Sequence, residues 1–184
     1  RLALQANGMK LDDVKRVTMD PSTIVTAFAS GQVDAAGIWY PHVATLKTRK
    51  PALVELYSNK DAMPKNSFPS SFIMRNELEG AAHAGMVDAM IRVIKEASDW
   101  RMKNLPQAID LTAAMIGAPR ANLETEAGYA QYFSSAELAK FTEDGTVDNW
   151  LRGMNELFKT FGRVPEVVDP KRYYLGARYV AAKV

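Results

Sequence analysis

The sequence contains no cysteine and only two histidines among its 184 residues. The first absence excludes thiolate nucleophiles, iron–sulfur clusters, cysteine-ligated zinc and disulfides. It does not fix a compartment, because proteins of oxidising compartments also do without cysteine. His42 and His83 do not stand at metal-ligand spacing, and no His-Glu-x-x-His run accompanies them. Excess charge of one sign is lacking too, since 23 Lys and Arg against 21 Asp and Glu leave a net charge of +2. Such balance predicts neither a nucleic acid nor a membrane surface as partner. No apolar run approaches the roughly 20 residues of a membrane span. Nucleophile-elbow, phosphate-loop and dinucleotide fingerprints are missing, and Gly8, Gly31 and Gly37 are not spaced as Gly-x-Gly-x-x-Gly. These absences point away from an enzyme and from a bound cofactor.

What is present is ordinary for a globular chain, with 47% hydrophobic and 24% charged residues. The length suits one domain or two small lobes, and such a chain buries roughly 70% of its unfolded surface without disulfide staples. The first residues, Arg1 to Gly8, lack an initiator Met and read as helix closing on Asn7-Gly8, a pair suited to a left-handed cap. We read the chain as the C-terminal portion of a longer one, begun in mid-helix.

Helix and strand patterns alternate over the first 57 residues. Val14 to Met19 alternates as a short strand, and Asp20-Pro21-Ser22 starts a helix that Gly31 ends. Val33 to Trp39 is a strand of small residues, Val43 to Lys50 a helix, and Leu53 to Tyr57 another strand. This order is that of an α/β layer with parallel strands. Asn59 to Pro69 reads as a polar loop and Ser70 to Arg75 as one more strand. The rest reads as helix, over 79–104, 107–116, 123–132, 135–142, 147–161 and 171–182. Trp100 and Trp150 read as packing residues, the methionines as core filler, and the charges of Lys47 to Lys50 as a solvated face.

The candidate site is Trp39-Tyr40-Pro41-His42. Two aromatics stand at the C-terminal end of a predicted strand, followed by a helix start. In an open α/β sheet this point faces the ligand crevice. Trp39 and Tyr40 either clamp a ligand there or form a lid over the core. His42 is either a site residue or a surface histidine, and His83 a surface one. Ser22 and Thr23 follow the preceding strand in the same way. Their hydroxyls and amides suit an anion, or simple capping of their helix.

The stretch from Ser22 to Pro41, with Ala29-Ser30-Gly31-Gln32-Val33-Asp34-Ala35-Ala36 turning into a strand that ends on Trp39-Tyr40-Pro41, resembles solute-binding proteins of ABC transporters for nitrate, sulfonate and taurine. Phe68 to Leu78, Gly145 to Leu151 and Val168 to Tyr174 look like later segments of that family. The resemblance implies an α/β periplasmic-binding-protein fold of type II, two lobes closing on a ligand like a Venus flytrap. Residues 1–69 would be the second α/β lobe with its N-terminal edge truncated. Residues 70–184 would be the mostly helical C-terminal part of the first lobe, exposing apolar faces to a partner or another chain. The implied ligand is a small anion such as an aliphatic sulfonate or taurine, held by Trp39, Tyr40, His42, Ser22 and Thr23. The implied partner is the membrane permease of an ABC importer, with no nucleic acid and no cofactor. The implied location is periplasmic or extracellular, with membrane anchoring through an N-terminal part. Rivals are a thiamine-pyrimidine binding protein or enzyme of the same superfamily, whose Cys-rich motif is absent, and the effector domain of a transcription regulator.

Overall fold

The computed structural model describes residues 2–63 and 67–184. Arg1 and residues 64–66 of the expected polar loop lie outside the described residues. Among the described residues ten α-helices follow in order: α1 Leu2–Ala6, α2 Pro21–Ser30, α3 His42–Arg49, α4 Asn59–Ala62, α5 Ala84–Lys103, α6 Leu105–Ile116, α7 Arg120–Ala127, α8 Ser135–Glu143, α9 Thr146–Thr160 and α10 Gly176–Ala181. They group into two compact units, one of residues 1–58 and 109–130 and one of residues 59–108 and 131–184.

The α/β expectation is corrected in one respect: no strand is present among the described residues. The stretches expected as strands, within 14–19, 33–39, 53–57 and 70–75, run without a ladder partner. A strand is a property of a pair, because its N–H and C=O groups must meet those of a neighbour. Several of their apolar side chains are uncovered, Phe72 at 83% and Ile73 at 95% exposure, with Val54 and Leu56 also exposed, while Val14, Val33, Ile38 and Leu53 are half-buried. The final helix is shorter than expected. The chain makes a 3-10 turn at Pro170–Arg172, breaks at Tyr173 to Leu175, and resumes only at Gly176.

In the first unit, α2 begins on Pro21, whose fixed φ suits the first helical position. It ends at Gly31, in the left-handed region at φ 79°. The Gly31 and Gln32 amides there reach back to the carbonyls of Phe28 and Ala27. α2 packs on α3 through buried Val25, Ala27 and Leu46. Arg120 at the start of α7 donates to Asp110 of α6 at 2.6 Å and to Glu124 one turn on at 2.8 Å.

In the second unit, α8 packs against α5, α9 and α10. Phe133, Phe141 and Trp150 form an aromatic cluster with centroid separations of 5.3 to 5.7 Å, beside buried Val147 and Leu151. Trp150 is the packing residue expected of it. Trp100, expected to pack as well, is 41% exposed. The N-terminus of α8 is satisfied twice. Ser134 and Glu137 form a capping box, and the Asp99 carboxylate of α5 accepts from the Ser135 amide and hydroxyl, both at 2.6 Å. The Ser135 hydroxyl, then its amide, hold the Asp99 carboxyl below the usual carboxylate range.

That depression carries a pH signature. Asp99 adds stability in full above its unfolded value, near pH 4 for an aspartate, and loses it as pH falls through the lowered folded value. Urea unfolding monitored through the tryptophans at pH 7 and pH 3 should therefore show a smaller acid-induced loss for Asp99→Asn than for the parent. Equal losses would show that Asp99 contributes nothing to acid sensitivity.

Candidate functional site

The site grows from the segment entering α3. The Tyr40–Pro41 peptide is cis, and Pro41 caps the helix that His42 begins. The amides of Ala44 and Thr45 close on the Pro41 carbonyl and that of Val43 on the Trp39 carbonyl. Trp39 is left 62% exposed, with the His42 ring edge-on to it at 6.2 Å. Tyr40 turns the other way and stacks on Tyr129, the ring centroids 4.4 Å apart and tilted by 31°.

Lys47 lies further along α3. Its Nζ donates to the Tyr129 hydroxyl at 3.0 Å and to the Tyr40 hydroxyl at 3.3 Å. It stands 5.5 and 5.9 Å from the two ring centroids, within cation–π range. Glu55 approaches the same Nζ at 3.9 Å, a loose exposed pair. Hydrogen bonding to Tyr129 and then Tyr40 raises the Lys47 ammonium above its ordinary value. Burial and the bond to Tyr129 push the Tyr40 phenol up. The bonds from Tyr40 and Lys47 pull the Tyr129 phenol down. The pattern fits a chain in which Tyr40 and Lys47 both donate to the Tyr129 oxygen. Chemically, it is an oriented cation between two phenols, suited to an anionic head on a small organic body.

The structure thus brings Trp39 and His42 together, whereas Tyr40 joins Tyr129 and Lys47. Ser22 and Thr23 stand exposed on the first turn of α2, and among the described residues no hydrogen bond or ring contact joins them to the aromatics. An open hollow of about 390 Å³ lies at the far end of α3, lined by Phe28, Asp34, Arg49, Lys50 and Leu53 among others. None of the sequence-derived candidates lines it. Sequence reasoning missed Lys47, taken as part of a solvated face, and Tyr129, which it did not single out. A Lys five residues after His42 on one helix was the only signal for the first. Nothing local marks the second, 82 residues away from Lys47. Among the described residues no group of three or more His, Asp or Glu is placed to hold a metal ion.

A sequence profile described as NMT1/THI5 like matches residues 1–108. Relatives in Brucella abortus, Brucella suis and Brucella melitensis, each bearing the description "Putative binding protein", are 52% identical over 183 residues. The match takes in 100% of this chain and 57% of each relative, so the chain spans a little over half their length. No solved structure matches the chain.

Proposed function

The chain belongs to the NMT1/THI5-like family, and we propose that it is part of an extracytoplasmic solute-binding protein of an ABC importer. The solute is a small anion, such as an aliphatic sulfonate or taurine, captured between two lobes of a type II periplasmic-binding-protein fold. The role is that of a receptor rather than an enzyme. It works by binding the solute more tightly in a closed state than in an open one, then presenting that state to a membrane permease. The location is periplasmic or extracellular.

One observation carries the reading: the Lys47 ammonium, seated between the Tyr40 and Tyr129 phenols on the helix that Trp39 and His42 lead into. A sulfonate would take its charge from Lys47, and exposed Trp39 offers an apolar surface on the segment that leads into the same helix. The relatives' description as binding proteins supports the receptor role. Ser22 and Thr23 at the head of α2 are the second group of candidate contacts.

The test is a thermal-shift screen of sulfonates, nitrate, carboxylates and thiamine precursors, followed by calorimetry. Trp39→Ala and Lys47→Met should each weaken binding of an aliphatic sulfonate by about tenfold or more, the equivalent of about 1.4 kcal/mol. Unchanged affinity in both variants overturns the site. Stabilisation only by uncharged or cationic compounds overturns the anion.

A further inference from the structure

We infer that Glu55 sets the charge class of the solute at Lys47, an inference that rests on the proposed role of Lys47 as the solute's contact. With Glu55 beside it, the ammonium suits a singly charged anion and turns a doubly charged one away.

An ammonium has three N–H groups. On Lys47 two of them are taken, by the Tyr129 hydroxyl at 3.0 Å and the Tyr40 hydroxyl at 3.3 Å. The third has no hydrogen-bond partner among the described residues, and Oε2 of Glu55 stands off from it at 3.9 Å, too far for such a bond. An anionic head bound to Lys47 takes this third N–H, and so comes to lie beside the Glu55 carboxylate. Glu55 pairs with no other cation among the described residues, so its charge is not neutralised elsewhere. The charge is also felt at the Tyr129 hydroxyl, where the bonds from Tyr40 and Lys47 pull the phenol down and Glu55 works against them.

The charge of the solute decides how it responds to this pair. Attraction to Lys47 and repulsion from Glu55 both grow in proportion to that charge, whereas the cost of drawing the ion out of water grows with its square. A monoanion keeps a small net attraction to the opposed pair. A dianion gains about twice that attraction against about four times the desolvation. The Lys47 and Glu55 side chains are both exposed, so a water-like dielectric applies between them. A carboxylate one small-ion diameter away in such surroundings weakens a monoanion about threefold, and a dianion by the square of that factor, about tenfold.

Methanesulfonate and sulfate make the test, since they share size and tetrahedral shape and differ by one charge. Each is titrated into the isotope-labelled chain at low ionic strength, and the amide resonances of Tyr40, Lys47 and Tyr129 are followed by NMR. The parent should bind methanesulfonate more tightly than sulfate. Glu55→Gln should tighten methanesulfonate about threefold and sulfate about tenfold, which narrows the preference. Glu55→Asp, which keeps the charge, should keep the parent's order. Asp34→Asn removes a carboxylate that lines the hollow at the far end of α3, and should leave the preference as it is. Two results overturn the role of Glu55 and leave Lys47 as the solute's contact. One is sulfate binding the parent at least as tightly as methanesulfonate. The other is Glu55→Gln changing both affinities by the same factor, or neither. Resonance shifts that persist in Lys47→Met, or that neither anion causes in the parent, overturn the role of Lys47 and that of Glu55 with it.

Discussion

Replacing Lys95 by Met should be among the most damaging single changes in the second unit, costing about 3 kcal/mol. Lys95 is the one buried charged residue among the described residues, at 6% exposure. Its Nζ crosses from α5 to the end of α10 and donates to the carbonyls of Tyr179, at 3.0 Å, and Ala182. The same group lies 4.8 Å from the centre of the Tyr179 ring, whose phenol burial pushes up to about 12. The last carbonyls of a helix have no partner within it and sit at the negative end of its dipole. Lys95 meets both needs from another element. Methionine keeps the length and apolar stem but leaves the carbonyls unsatisfied, at about 1–3 kcal/mol each. α10 is only 6 residues long, too short to persist without tertiary support. The Arg178 guanidinium, which donates to Asp88 at 3.0 Å and to the Ala84 carbonyl at 2.9 Å, holds the helix at a second point. Lys95→Met should therefore loosen the end of α10 before the unit as a whole. Amide exchange at Tyr179 and Ala182 should accelerate more than at the centre of α9. Equal protection in the parent and Lys95→Met, with an unchanged urea midpoint, would show the contact to be inert.

Helix positions were the more legible part of this fold, because their signals are local, although the expected 123–132 helix starts at Arg120 and ends at Ala127 and α4 lies in the expected 59–69 loop. Pro21 and Gly31 bound α2, and Asp144-Gly145 marks the junction of α8 with α9. The Ser134-x-x-Glu137 spacing matches a capping box that forms with bonds of 2.7 to 3.2 Å. Strands were legible as sequence patterns but not as structure. Val14 to Met19 and Ser70 to Arg75 alternate or cluster as strands do, yet pairing depends on residues elsewhere in a chain. The break before α10 was hidden for a similar reason. Tyr174 leaves the helical path to place its hydroxyl 2.8 Å from that of Thr142, a contact across 32 positions.

The candidate site divides in the same way. Trp39, Tyr40 and His42 stand out in the sequence because they are consecutive or nearly so and follow a predicted strand. Lys47 carries the charge on which the proposed anion preference rests. It reads as an ordinary surface lysine until Tyr129 comes to its side. Lys95 gives the same lesson with opposite burial. Both lie on helices rich in charged neighbours, and only tertiary partners separate a clamp from a solvated side chain.

The second large effect is expected at Gly176, where alanine should destabilise by about 1–2 kcal/mol although the position is helical. The backbone offers no objection, since Gly176 does not lie in the left-handed region. Intrinsic preference in fact favours alanine over glycine in a helix interior by about 1 kcal/mol, and by less at this first position of α10. Packing decides the sign. A Cβ at Gly176 would lie 2.8 Å from Thr142 Cγ2 and 2.8 Å from Tyr174 Cε1. Neither neighbour yields easily. Thr142 is a β-branched residue on α8 whose hydroxyl also donates to the Leu138 carbonyl at 2.7 Å, and the Tyr174 ring is held by its bond to that hydroxyl. Overpacking of this kind costs about 1–3 kcal/mol, which outweighs the propensity gain. Thr142→Ser separates the two terms, because it keeps the hydroxyl and deletes the methyl. Urea denaturation of the two single variants and the pair should show Thr142→Ser with Gly176→Ala recovering at least half of the loss. Full additivity of the two changes would locate the cost of Gly176→Ala away from the α8–α10 contact.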